Sequence, residues 1–355
     1  MTTLTAEPRP DSLVGRLNLA DPGLTARLHG GLADAESRLR ETAADVPSAL
    51  VAEWSRYLIE AGGKRLRPLL VLLAAEFGAK SDEADGADGA DGAAAGRISD
   101  AAALVELVHV ASLHHDDVMD GARSRHGVPS APARWGNRTA VLLGDRLLVK
   151  AGQLAADLGD GAIRLQGEAA ERLVRGQLRE LTGPEAGESP VTHHFAVIAD
   201  KTGSLLSLAV RLGAEVAGAP EPAVRALAAY GEQLGIVFQL SDDLLDFASE
   251  PADSGKDAAL DLAVGVRTLP VLLALSEDGP RAAELRALLE AGPLADDSDR
   301  RRAAELMRNS SAEARARELL HACATDARDA LAALPDVPAR AALAALVGLV
   351  EHRSA

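Results

Sequence analysis

Two segments carry carboxylates at i, i+1 and i+4: Asp116-Asp117-Val118-Met119-Asp120 and Asp242-Asp243-Leu244-Leu245-Asp246. Each follows an apolar run, Ala101–Leu113 for the first and Leu234–Leu240 for the second. On a helix, positions i and i+4 share a face one turn apart. Asp116 with Asp120, and Asp242 with Asp246, therefore form two carboxylate rims. Carboxylates so placed repel each other unless a cation intervenes. Mg²⁺ meets that need with one or two carboxylates, substrate phosphates and retained waters. One such cluster in an acidic chain reads first as a solvated helix face. Two, with basic residues beside and between them, describe a metal-bridged polyphosphate site.

The basic residues come in groups. Gly62-Gly63-Lys64-Arg65-Leu66-Arg67-Pro68 sets three cations after a glycine pair, at the mouth of an apolar helix. Glycine lets backbone approach a ligand closely. Arginine offers a planar fork for phosphate and lysine a point charge. Arg123, Arg125 and His126 follow the first aspartate cluster, and Lys201-Thr202 opens another apolar stretch. Gln239 lies one turn before Asp243, and Lys256 follows the second cluster. As a set these residues describe two polyphosphate pockets, one metal-rich and one mostly cationic. His109 lies seven residues before Asp116, two turns back on the same face. A histidine on an apolar helix is often a core residue, but this periodicity aims it at the rim. His114 and His115 directly precede the rim, where the many carboxylates favour oxygen-bound Mg²⁺ over a histidine site.

The elements that must position these groups read as helices throughout. The spacing predicts helices near 23–44, 47–61, 65–78, 97–119, 138–158, 161–182, 191–217, 222–248, 268–277, 281–291, 299–308, 311–333 and 337–352. Gly and Pro punctuate the joins. No stretch sustains period-two alternation, so the fold class is all-α. Residues 1–20 are expected to be a disordered N-terminus and 21–355 a single domain. Ser81–Gly96, with its Ala-Asp-Gly repeats, reads as a flexible surface insertion rather than a calcium loop. Glu250–Gly255 reads as a loop, either a lid or an ordinary connection.

Composition narrows the function. The chain has 355 residues, 47% of them hydrophobic and only 2% aromatic, so its core must be built from Ala, Leu and Val. Its formal charge is −16. That argues against nucleic acid, which needs a basic footprint. Capture of an anion must then rely on local cations and bound metal. The single cysteine, Cys323, permits no internal disulfide. Neither a signal peptide nor a bilayer-spanning run is evident, and a cytoplasmic protein is expected.

The ordered set of motifs resembles the trans-isoprenyl diphosphate synthase, or polyprenyl synthetase, family. It comprises Gly-Gly-Lys-Arg-Leu-Arg-Pro at 62–68, the two aspartate clusters, Arg125-His126-Gly127, Gly144-Asp145, Lys201-Thr202 and Phe238-Gln239 before Asp242-Asp243. The resemblance covers nearly the whole chain after residue 20. It implies an all-α bundle with a central cavity, usually a homodimer. It implies that Asp116, Asp120 and Asp242 hold three Mg²⁺ ions against an allylic diphosphate, with Asp117, Asp243 and Asp246 in support. Arg125, Lys201 and Lys256 would contact the same group. Lys64, Arg67 and His109 would bind isopentenyl diphosphate, and Thr202 and Gln239 would sit near a developing carbocation. The product tail would run past Ser112 and Ala111, whose small size implies geranylgeranyl length or longer with a long-chain product favoured, and Val108, Leu107 or Leu104 would form the floor of its tunnel.

Two departures stand out. His126 occupies a position where the family usually has arginine. Gly255-Lys256-Asp257-Ala258-Ala259-Leu260-Asp261-Leu262 lacks the second glycine of the usual segment. A class I terpene cyclase and a non-catalytic subunit of a heteromeric synthase are the competing readings. Cyclases typically replace the second aspartate cluster, and non-catalytic subunits commonly lose one; both clusters are intact here.

Overall fold

The computed structural model describes residues 13–78, 88–248, 267–290, 292, 294 and 296–354. The helices are α1 (Leu13–Arg16), α2 (Pro22–Ala44), α3 (Ala49–Glu60), α4 (Leu66–Ala75), α5 (Asp88–Met119), α6 (Ala131–Trp135), α7 (Asn137–Leu158) and α8 (Asp160–Thr182). They continue with α9 (Pro190–Ile198), α10 (Ser204–Val216), α11 (Glu221–Ala248), α12 (Leu269–Leu275), α13 (Pro280–Glu290), α14 (Asp297–Arg308), α15 (Ala312–Ala330) and α16 (Pro338–Glu351). The architecture is all-α, as the periodicity predicts. Asp21, Ser48, Ser130 and Ser189 each accept a hydrogen bond from the third residue of the helix they precede. Such caps satisfy one of the donors every helix start leaves open. No described helix is long and apolar enough to cross a membrane.

Backbone contacts divide the chain into two compact units. The first comprises 1–172, 204–231 and 330–345, and the second 173–203, 232–329 and 346–355. In the first unit α5 packs against α2, α4, α7 and α10. Its residues Ala101–Val108 are buried on every side, which explains a helix apolar all round. Gly144 is needed where α7 crosses α5, because a Cβ there would lie 2.4 Å from the His115 ring. In the second unit α9 and α12 pack together, as do α12 with α13 and α13 with α14.

Four local features depart from expectation. Leu13–Arg16 is helical, within the stretch expected to be disordered, because Val14 and Leu17 bury themselves. Asp88–Gly96 extends α5 rather than forming a flexible insertion, in keeping with the helix propensity of its alanines. The helix expected over 191–217 is interrupted by a π-helical turn, Ala199–Gly203. A short antiparallel ladder pairs β1 (Ser124–Arg125) with β2 (Val128–Pro129). Its connection, His126-Gly127, has φ of 51° and 78°, the doubly positive pattern of a tight hairpin turn. Residues 1–12, 79–87 and 249–266, and with them Glu250–Gly255, lie outside the described residues.

Candidate active site

The first unit carries the first aspartate cluster. Asp116 is half-buried near the end of α5, and Asp120 is exposed in the turn just beyond it. The Asp120 N–H donates to the Asp116 carbonyl at 2.8 Å, so the one-turn spacing of the rim persists past the helix end. Asp117 points the other way. It is fully buried, and its Oδ1 accepts from Arg125 Nε at 2.9 Å and Nη2 at 2.6 Å. Its Oδ2 is buried without a partner. Arg125 therefore spends two donors on its own helix end before meeting any ligand.

Around this rim the basic residues have divided their work. Arg65 adopts a left-handed φ of 50° at the start of α4. Its guanidinium bonds Glu36 at 2.6 and 3.1 Å, Glu106 at 3.2 Å and the Ile59 carbonyl at 2.7 Å. It joins α2, α4 and α5, and is not one of the cations left over for phosphate. Lys64 is exposed. Arg67 buries its Nε with no protein acceptor. Burial lowers the Arg67 guanidinium from its usual value, against the opposing charge of Glu106.

His109 sits among these cations. Burial first, then the charges of Arg67, His126, Arg125 and Arg65, hold its imidazole well below the usual range, so it is neutral at physiological pH. His126 is exposed at the tip of the hairpin. His115 is turned aside onto Asp145 at 3.2 Å and the Val141 carbonyl at 3.3 Å. His114 is fully buried with neither ring nitrogen partnered.

The wall ahead of the rim is small and apolar. Val108 and Ala111 are fully buried. Ser112 is half-buried and returns its hydroxyl to the His109 carbonyl at 2.8 Å. With that hydroxyl satisfied on its own helix, Ser112 is a small residue rather than a polar obstacle.

The second unit carries the other cluster on α11, and its adjacent carboxylates also diverge. Asp243 is buried and accepts from the Leu269 N–H at 2.9 Å. His194 Nε2 lies 2.9 Å from the same Oδ2, and Gln239 Nε2 donates to Oδ1 at 3.3 Å. Asp242 is half-exposed and pairs with Arg353 Nη2 at 2.6 Å. Asp246 lies one turn on; its side chain, like Lys256, is outside the described residues.

Lys201 and Thr202 belong to the π turn, a feature frequent at functional sites because it re-aims side chains within a helix. Arg175 clamps the turn through Asp200, at 2.8 and 3.0 Å. Thr202 reaches Gln239 with a long contact of 3.5 Å. Gly235 lets α11 pass the turn: a Cβ there would lie 2.5 Å from Gly203 Cα. Lys201 pairs with Glu180.

Among the described residues no group of three or more His, Cys, Asp or Glu could by itself hold a metal ion. That excludes a closed all-protein cage among them. The donor set fits Mg²⁺, which needs only one or two carboxylates and completes its shell with phosphate and water. Sequence reasoning missed His194 and Arg353. His194 stands seven residues before Lys201, the step that singled out His109 before Asp116; no local pattern marks Arg353.

The family model for polyprenyl synthetase matches residues 48–307. The nonaprenyl diphosphate synthase of Mycobacterium tuberculosis is 41% identical over 344 residues, covering 97% of this chain and 98% of that one. The crystal structure of geranylgeranyl pyrophosphate synthase from Corynebacterium glutamicum, complexed with calcium and isoprenyl diphosphate, is similar with a TM-score of 0.81 and 38% identity, covering 94% and 98%. A decaprenyl diphosphate synthase from Rhodobacter capsulatus gives 0.82 and 33%, covering 94% and 99%. The chain belongs to the polyprenyl synthetase family and is a trans-prenyltransferase.

His114 yields a prediction. Burial, with the neighbouring His115, lowers its pKa to about 4. The unfolded chain binds this proton near 6.5, before the folded chain does. Unfolding is therefore favoured as pH falls from about 6.5 toward 4, and the effect is absent above that window. Urea denaturation in EDTA should show His114 costing about 2 kcal/mol between pH 7 and pH 5. His114→Gln should lose that part of the acid sensitivity. Identical pH dependence in the two proteins would refute the assignment.

Proposed function

We propose that this protein condenses isopentenyl diphosphate with an allylic diphosphate to give a polyprenyl diphosphate of geranylgeranyl length or longer. The observation that carries this reading is the group of cations around His109. Arg67 buries a donor without a protein acceptor beside the His109 imidazole, which burial first and then the neighbouring cations hold well below its usual range. In a chain of net charge −16, a buried guanidinium donor with no protein acceptor calls for an anionic ligand. Lys64, Arg67 and His109 would bind the isopentenyl diphosphate, with the neutral His109 as a hydrogen-bonding partner. His126 brings less positive charge than the arginine usual at its position.

Asp116, Asp120, Asp242 and Asp246 would hold Mg²⁺, three ions in all, for the allylic diphosphate. Bound Mg²⁺ supplies charge neutralisation for the departing pyrophosphate. Arg125, Lys201 and Lys256 would hold the same phosphates and stabilise their growing charge. Asp117 and Asp243 act from behind, each fixing an Arg125 or Gln239 side chain. Thr202 and Gln239 would flank the allylic cation. The double bond of isopentenyl diphosphate attacks that cation, and the proton then lost goes to the released pyrophosphate. No side-chain nucleophile is required. The apolar wall of Val108 and Ala111 keeps out water that would quench the cation.

A second copy of the chain is the proposed partner. Helix α7 exposes Val141, Leu142 and Val149. Helix α8 exposes Ile163, Val174, Leu178 and Leu181, the last three at i, i+4 and i+7. Stripes of this kind on charged, water-facing helices mark interaction surfaces.

Three outcomes test these readings. Asp116→Asn and Asp242→Asn should each lower kcat on the order of 100-fold or more with an unchanged circular dichroism spectrum, and EDTA should silence the wild type; a variant at full activity ends the metal assignment. Ser112→Phe should shorten the product in chromatographic analysis. It is a better probe than Ala111→Phe, because a ring forced into a fully buried alanine site costs about 1–3 kcal/mol in overpacking. An unshifted product distribution at normal activity removes Ser112 from the tail path. By analytical ultracentrifugation the wild type should sediment as a dimer and Val174→Glu/Leu178→Glu as a monomer; a monomeric wild type disposes of the partner.

A further inference from the structure

Arg353 is 111 residues from Asp242 in sequence, yet its Nη2 donates to Asp242 Oδ1 at 2.6 Å. The same nitrogen donates to the Phe238 carbonyl at 3.0 Å, and Nε donates to Ser241 Oγ at 3.2 Å. The guanidinium carbon lies 4.2 Å from the Phe238 ring centroid. Ser241, fully buried, donates in turn to the Val350 carbonyl at 2.9 Å. The end of α16 with the turn that follows it, and the turn Phe238–Asp242 of α11, are thus joined by polar contacts.

This is not a loose surface ion pair. The Arg353 side chain is 16% exposed, against 38% for Asp242. Three of its contacts, to the ring, the carbonyl and the hydroxyl, hold the guanidinium in place independently of the carboxylate. Asp242 is the more exposed partner and Arg353 the more anchored one, so the arginine orients the carboxylate rather than the reverse. A charge-assisted bond to one oxygen fixes the carboxylate rotation about its own side-chain bonds.

We infer that Arg353 is a positioning residue for the prenyl transfer, holding Asp242 in the orientation in which it takes a divalent cation. The inference rests on the reading of Asp242 as a metal ligand. An arginine that merely competed with metal would have to leave its place, and the Phe238 ring, the Phe238 carbonyl and Ser241 oppose that. Loss of a partner that orients a metal ligand typically lowers metal affinity 10–100-fold.

The test is Mn²⁺ titration followed by electron paramagnetic resonance, with inorganic pyrophosphate present, on wild type, Arg353→Met, Arg353→Lys and Asp242→Asn. Asp242→Asn identifies the Mn²⁺ that depends on this carboxylate. Arg353→Met keeps the apolar stem and should weaken that Mn²⁺ about 10–100-fold. Arg353→Lys keeps the charge without the fork and should fall between. In turnover assays the Arg353→Met defect should recede as Mg²⁺ is raised, with KM for isopentenyl diphosphate unchanged; a merely structural role would not respond to metal. If Asp242→Asn binds Mn²⁺ like the wild type, the ligand reading of Asp242 fails and the inference with it. If Asp242→Asn loses the ion while Arg353→Met and Arg353→Lys bind it as tightly as wild type or more tightly, the positioning role alone is overturned.

Discussion

Two consecutive carboxylates on one helix cannot face the same way. Successive residues are rotated by about 100°, so when Asp116 and Asp242 turn toward a ligand, Asp117 and Asp243 must turn inward. A buried carboxylate is costly unless it is paired and hydrogen-bonded. The two units meet this demand differently. Asp117 takes Arg125, brought back by a hairpin eight residues on. Asp243 takes His194, Gln239 and the Leu269 N–H, the last fixing the start of α12. Much of the local architecture near each cluster, the hairpin in one unit and the α9–α11–α12 contacts in the other, exists in part to satisfy the inward aspartate.

The same economy governs the cations. Arg65 and Arg67 are two residues apart, yet one is consumed by Glu36 and Glu106 while the other keeps a buried donor unspent. The left-handed backbone at Arg65 accounts for the difference, since it aims that side chain back between α2 and α5. Glu106 balances the pair from within α5. Its Oε1 meets Arg65, while its Oε2 remains without a partner. Positive charge is thereby retained beside His109 in a strongly acidic protein, where burial first and those charges second hold the imidazole well below its usual range.

The helices were legible because they are amphipathic and punctuated. The joins at Gly183-Pro184 and Gly218–Pro220 are local signals. What was not legible depends on distance or on a single residue of helical phase. A π turn adds no distinctive residue type, so 191–217 reads as one helix although it contains two. The hairpin at 124–129 is too short for alternation, and only Gly127 and Pro129 hint at it. Arg353 and His194 act on carboxylates 111 and 49 positions away, which spacing along a chain cannot show. Arg65 misleads in the other direction: its type and neighbours suggest phosphate, and only the backbone geometry reveals a structural post.

The scarcity of aromatic residues bears on the reaction itself. With 2% aromatics, the chain has few rings available to block a growing isoprenoid tail. Ahead of the first rim, α5 presents Ser112, Ala111 and Val108, then Leu107 and Leu104, all but Ser112 fully buried. Small side chains on a helix packed by α2, α4, α7 and α10 can be exchanged for larger ones only where volume is available. Ser112 has that latitude through its partial exposure, and Ala111 does not. On the proposed reading, control of product length on this helix would fall to Ser112, whose hydroxyl is already satisfied by its own backbone and whose partial exposure leaves room for added bulk.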